Sequence, residues 1–397
     1  MVHVKQELRP IAVQNFVHLM RAASHLFQPD ELDRLAPRMR GGPRLSEVNG
    51  QGLGALDPLA ATEAVAYDFL AKGGKHSRPF ITLATYAALT AGRRVAAGGM
   101  PQPSAIPDTV LRTALAIETF HKASLVHDDI EDDDAFRYGD PTVHRAHGVP
   151  TAINVGDYLI GMGYRLVSRD AAALGSEVAA DILDRFADAH LRLSEGQGAE
   201  LTWRDARNKR LSPSDAIKIY ALKTAPAFEA AMYAGVRLAG PAESYAKPVR
   251  QLAKCIGIAF QILNDLKDWQ GDDDNKLASG CDVAGGRPTL LLALALEGLD
   301  ADTQTALLRL IGGEDVSEAV PQRVLALYRK AGVFERANEL VDEYQARAES
   351  IASEMQPLEL RRLCDYLVDT ILVRPSESDV FAALAVDRSA AWPAPSA

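Results

Sequence analysis

At 397 residues with 47% apolar content, the chain is long enough to bury a large core without a disulfide or a metal to hold it together. A formal net charge of −10, from 53 acidic and 43 basic residues, argues against a broad basic surface for nucleic acid. Cys255, Cys281 and Cys364 are odd in number and form no CxxC, which excludes a disulfide framework and fits a reducing, cytoplasmic setting. The first 16 residues carry charges where a signal peptide needs an apolar core, and the longest apolar run, Leu290–Leu296, falls short of the roughly 20 residues that span a bilayer. No transmembrane segment is expected.

From the N-terminus, residues 1–57 read as an extension, one helix and then a loose loop packed on the main body. Residues 58–376 read as a single large helical domain, and 377–397 as a C-terminal helix with a disordered tail. The fold class is all-α, because Ala and Leu recur at i, i+3, i+4 spacing while alternating β-branched runs are scarce.

Within the domain, GGKHSRP at Gly73–Pro79 puts Lys75 and Arg78 at a helix start, where the helix dipole favours anions. An apolar helix expected over Thr109–Val126 carries His121 two turns before Asp128 and runs into LVHDDIEDDDAFRYG. Asp128 and Asp132 are i and i+4 on one face, with Asp129 beside them. Gln197 follows between two glycines. One helix is expected over Asp215–Val236, with Lys223-Thr224 in an apolar stretch where an unpaired ammonium is costly. The next helix ends in FQILNDLKDW, where Asn264 and Asp268 repeat the i, i+4 spacing, Asp265 adjoins Asn264 and Gln261 lies one turn earlier. The loop from Gly271 to Pro288, rich in Gly, Asp and Lys, is expected to be functional rather than a linker.

Either acidic segment alone reads as a solvated helix end. Two of them, each closing an otherwise apolar helix, read as a site. Clustered carboxylates repel one another unless a cation intervenes, and hard, oxygen-seeking Mg²⁺ suits them when shared with phosphate oxygens. An apolar wall that ends in carboxylates fits a greasy molecule with a phosphorylated head.

The ordered set GGKxxRP, His121, DDxxD, RxG, PTVH, GQ, KT, FQxxxDxxD and GxDxxxGRPT resembles the trans-isoprenyl (polyprenyl) diphosphate synthases from about Val65 to Val373, similar to geranylgeranyl and longer-chain members. The resemblance implies an all-helical fold around a deep central cavity, a homodimer and three Mg²⁺ ions. It implies a prenyltransferase that condenses isopentenyl diphosphate with an allylic prenyl diphosphate. By residue, it makes Asp128, Asp132 and Asp268 the principal metal ligands, with Asn264 keeping an oxygen donor and Asp129 and Asp265 orienting ligands or bound water. Arg137, Lys223, Thr224, Gln261 and Arg287 would hold the allylic diphosphate, and Lys75, Arg78 and His121 the diphosphate of isopentenyl diphosphate. Ala123 and Ser124, one turn before Asp128, would line the path of the growing chain. Being small, they leave it open to a product of about C20 or longer, with Phe120 as a possible floor one turn on.

Three positions depart from the family pattern: Asn264 for Asp, Arg287 for Lys, and Tyr138 for the second of two arginines. The last either weakens the isopentenyl site or packs against the loop that ends at Pro150. Two rival activities share much of the pattern. A class I terpene synthase or a head-to-head condensing enzyme has no need of Lys75, Arg78 and His121 together, and a non-catalytic partner subunit should lose carboxylates from the first motif.

Overall fold

In the computed structural model, the described residues are 16–48, 53–96, 106–206, 210–269, 287, 289–312 and 320–372. Where one helix was expected, the described residues of the extension hold two short α-helices, α1 over 16–25 and α2 over Pro29–Leu35. Pro29 starts α2 at a position where its missing N–H has no partner to lose. The start of the loop that follows is tied down at Met39 and Arg40. Buried Glu63 accepts the backbone N–H groups of Met39 and Arg40 at 2.7 and 3.0 Å and the Tyr158 hydroxyl at 2.8 Å.

The body opens with α3 (Pro58–Ala71), capped by Asp57 on the Leu59 N–H, and α4 (Ser77–Ala96). Helix α5 (Asp108–Glu131) outruns the expected element by a turn at its C-terminus and carries the first acidic motif. Its Ala114, Ala116 and Ala123 are buried, and this small-residue surface lets neighbouring helices close around it. After α5 comes a two-residue hairpin, β1 (Phe136–Arg137) against β2 (Asp140–Pro141), with Arg137 opposite Asp140. Tyr138 and Gly139 form its turn at φ 56° and 84°, the pair of positive values that a tight hairpin with right-handed twist requires. Helices α6 (Val143–His147), α7 (Val149–Ser168), α8 (Ala171–Leu174) and α9 (Ser176–Asp205) follow.

The helix expected over Asp215–Val236 is broken. α10 (Pro213–Lys223), capped by Ser212 on the Asp215 N–H, ends at Thr224, and α11 (Ala225–Ala239) begins anew with Pro226 in its first turn. A proline there has no N–H to give Leu222 and its ring would crowd that carbonyl, so the axis must restart. The break leaves Lys223 at a helix end instead of in a helix wall. Helix α12 (Glu243–Asp268) carries the second acidic motif. The apolar run Leu290–Leu296 is the buried core of α13 (Leu290–Gly298), and α14 (Ala301–Ile311), α15 (Val320–Lys330), α16 (Val333–Glu354) and α17 (Leu358–Ile371) complete the bundle. No helix among the described residues is long and apolar enough to cross a membrane. Cys255 and Cys364 are buried free thiols. The expected C-terminal helix and tail, Cys281, and the loop from Gly271 to Pro288 except Arg287 lie outside the described residues.

Candidate active site

A cavity of about 340 Å³ runs down the inner face of α5, bounded by α7, α9, α10 and α11. Its lining on α5 extends from Asp128 back to Ile117, about 16 Å at 1.5 Å per residue. The deep walls are Ile117, Phe120, Ile160 and Phe186, and the mouth carries Asp128, Glu131, Gln197 and Lys223. Arg78 and His121 line the same space, so both halves of the expected machinery share one cavity.

At the mouth the first motif is already crowded with cations. Asp128 is half-buried, and burial pushes its carboxyl up to about 7; Lys223 opposes the shift, while Glu131 and Asp132 add to it. Asp129 is buried and bound by Arg137, whose Nε donates to Oδ1 at 2.9 Å; burial raises its pKa and this bond offsets part of the rise. Asp129 Oδ2 is buried without a hydrogen-bond partner. Asp132 holds Arg204 at 3.0 Å and Arg287 at 2.8 Å. Lys223 donates to Glu200 at 2.6 Å, and Gln197 to Glu131 at 2.6 Å.

The second motif is arranged differently. Asp265 turns into the core, accepting from the Tyr220 hydroxyl and, at 3.3 Å, from the Leu290 N–H that opens α13. Asn264, Gln261 and Asp268 are part-exposed at the end of α12, and Gln261 Oε1 accepts the Thr224 hydroxyl at 3.2 Å. On the other side of the cavity, Lys75 is exposed, whereas Arg78 is half-buried, with its Nε buried and unpartnered. Burial lowers the Arg78 pKa and Glu118 partly restores it. His121 is held well below its usual value, first by burial and then by Arg78, Lys122 and Arg137, so it is neutral at physiological pH.

The wall residues expected to gauge the product also reach the cavity. Ala123 and Ser124 line it, and so does Phe120. The Phe120 ring is drawn aside against Tyr164, Phe186 and His190, at centroid distances of 4.7, 5.6 and 6.1 Å. Gly163 makes room for it: a Cβ there would lie 2.8 Å from the ring.

Glu131, Glu200, Arg204 and Tyr220 escaped the sequence reading. Three residues of α9 did carry a signal, since Gln197, Glu200 and Arg204 are spaced 3 and 4 apart and share a face. Tyr220 carried none, because its partner is 45 residues away.

Does this donor set suit Mg²⁺? Among the described residues no three His, Cys, Asp or Glu side chains already converge on one point that could hold a metal ion. The reason is visible: arginines occupy the carboxylates of Asp129 and Asp132. The donors are nonetheless all oxygen, Asp128 needs a nearby cation to stay ionised at neutral pH, and an ion shared with diphosphate oxygens takes only one or two carboxylates from the protein. The residues fit the ion.

The polyprenyl synthetase family model matches residues 60–328. The chain belongs to that family. It is a prenyl diphosphate synthase, an enzyme that transfers prenyl groups, and catalysis in this family is assisted by Mg²⁺. The synthase is 28% identical over 303 residues to a short chain isoprenyl diphosphate synthase of Methanothermobacter thermautotrophicus, covering 76% of this chain and 87% of that one. Among solved structures it resembles the geranylgeranyl pyrophosphate synthetase of Pyrococcus horikoshii (TM-score 0.71, 25% identity, 91% and 98% of the two chains). It also resembles a polyprenyl synthase of Caulobacter crescentus complexed with calcium and isoprenyl diphosphate (TM-score 0.67, 25% identity, 88% and 98%). The all-α isoprenoid synthase fold expected from the sequence is the fold observed.

Proposed function

We propose that this synthase condenses isopentenyl diphosphate with an allylic prenyl diphosphate to give an all-trans product of about C20 or longer. One observation carries the reading: Asp128, Lys223, Arg78 and His121 border a single cavity that also carries the apolar side chains of Ile117, Phe120, Ile160 and Phe186. Asp128, Asp132, Asn264 and Asp268 hold Mg²⁺, three ions by the family resemblance, with Asp129 and Asp265 behind them. When bound, the metal neutralises charge on the diphosphate and orients its oxygens.

Lys223, Gln261, Thr224, Arg137 and Arg287 receive the allylic diphosphate; the arginines now on Asp129 and Asp132 exchange a carboxylate for phosphate oxygens. Arg78, Lys75 and neutral His121 receive the second diphosphate, for which the buried and unpartnered Arg78 Nε is the supporting feature. The allylic C–O bond breaks and its electron pair leaves with diphosphate, stabilised by these fixed cations. The double bond of isopentenyl diphosphate attacks the allylic carbon, and a proton passes from the new cation to the departed diphosphate, restoring a double bond. The apolar walls Ile117, Phe120, Ile160 and Phe186 keep water from the cation and house the tail. Small Ala123 and Ser124 leave the upper channel open, which supports the longer product. The family resemblance supports assembly as a homodimer.

The test is incubation of the protein with Mg²⁺, isopentenyl diphosphate and a panel of allylic diphosphates, with mass analysis of the extract. A cyclic or hydrolysed hydrocarbon, a head-to-head product, or no turnover at all would overturn the proposal. A product that stops at C15 with excess isopentenyl diphosphate would overturn its chain length.

A further inference from the structure

Lys122 follows His121 but does not line the cavity, and it is fully buried (0% exposed). An ammonium has three N–H donors and tolerates burial only where they are met. Here the carbonyl of Lys72 takes one, the carbonyl of Gly73 takes another at 3.1 Å, and the face of the Tyr138 ring lies 4.1 Å from Nζ to its centroid. The backbone so held is unusual. Gly73, Gly74 and His76 have φ of 44°, 107° and 47°, so this segment does not rest in an ordinary conformation. The Tyr138 ring also bears directly on it, since a Cβ at Gly73 would lie 2.5 Å from the ring.

We propose that Lys122 and Tyr138 are a matched pair of positioning residues for the isopentenyl diphosphate site, an inference that rests on the site reading above. The ammonium ties down the carbonyls of Lys72 and Gly73, the ring caps the ammonium, and together they set the backbone from which Lys75 and Arg78 project. Tyr138 is then a consequence of Lys122. An arginine at 138, as the resembled family has, would place a guanidinium against a buried ammonium and replace attraction by repulsion. The positive charge missing from position 138 is present beneath the loop, on Lys122.

The experiment is a double-mutant cycle read by calorimetric binding of isopentenyl diphosphate to the wild type, Lys122→Met, Tyr138→Arg and the double variant, with steady-state constants for both substrates. Each single change is expected to weaken binding about five- to tenfold. In the double variant, Tyr138→Arg should restore affinity lost through Lys122→Met, because the arginine no longer meets the ammonium. The Michaelis constant for the allylic diphosphate should stay within about twofold in all four proteins. Additive weakening, a gain in affinity from Tyr138→Arg alone, or an equal change in the allylic constant would each overturn the pairing. Should Lys122→Met fail to fold, Tyr138→Leu keeps bulk against Gly73 but removes the ring face, and unchanged affinity in that variant overturns the pairing equally. Condensation by the wild type without the restoring pattern refutes this proposal alone. The restoring pattern in a protein that binds but does not condense refutes the condensation reading alone.

Discussion

The two acidic motifs close two helices in the same way on paper and behave differently in the fold. At the end of α5, Asp128, Asp129 and Asp132 meet Lys223, Arg137, Arg204 and Arg287, long cationic side chains. At the end of α12, the middle carboxylate of the motif is committed to the fold. Asp265 ties α12 to Tyr220 on α10 and to the first N–H of α13. Identical spacing thus yields a cluster of carboxylate–arginine pairs in one place and, in part, a strut in the other. The difference lies in what each helix packs against: α5 ends at a cavity mouth, whereas α12 ends under another helix start.

The sharpest way to break this comparison is to truncate one acid from each motif. Asp128→Ala should lower turnover by two or more orders of magnitude while thermal stability in chelator stays level or rises, since a half-buried carboxylate among like charges is removed. Full activity would sink the assignment of the first motif. Asp265→Ala should instead unfold at lower denaturant, losing about 2–3 kcal/mol because buried donors are left unmet. Tyr220→Phe should reproduce roughly 1 kcal/mol of that loss with the carboxylate still in place. If neither change alters the chemical-denaturation midpoint, Asp265 is no strut.

A smaller effect concerns the wall above the first motif. Ser124→Phe puts a ring in a channel that the substrate must enter, and should shorten the product without removing catalysis. An unchanged product distribution by mass would show that the chain does not pass that position.

The subtlest test is of pH. Burial pushes the Asp128 carboxyl from 3.8, its ordinary value, up to about 7, so the folded state holds its proton more tightly. Its contribution to stability is complete at low pH and declines as pH rises from about 4 to about 7. In chelator, Asp128→Asn should therefore melt increasingly above the wild type between pH 5 and pH 8, and Mg²⁺ should narrow the gap. A gap that does not change with pH would mean that Asp128 is not strained by burial.

Much of this was legible in the sequence because it depends on local spacing. The first acidic motif closes a helix and Ala123 and Ser124 line the cavity one turn before Asp128, whereas Lys223, expected within a helix, stands at a helix end. What was hidden depends on distance along the chain. Nothing near Tyr220 points to Asp265, and nothing near Lys122 points to Gly73, because each contact exists only after helices far apart in sequence have packed. The break at Thr224 was legible in retrospect, since Pro226 cannot extend a helix that already includes Leu222. The extension was underread for the opposite reason: its loop has weak local signals, and Glu63 orders it from another helix.

Gly163 carries no chemistry and reaches no substrate, yet it decides how much of the channel Phe120 occupies. The ring is a stopper parked in a socket on the neighbouring helix, and the socket is one methyl group deep. On the chain-length reading proposed above, the gauge for product size is divided between two helices, only one of which bears the first acidic motif. A family could lengthen or shorten its products by editing the socket while every catalytic side chain stays untouched, and a survey of motif residues alone would never register the change.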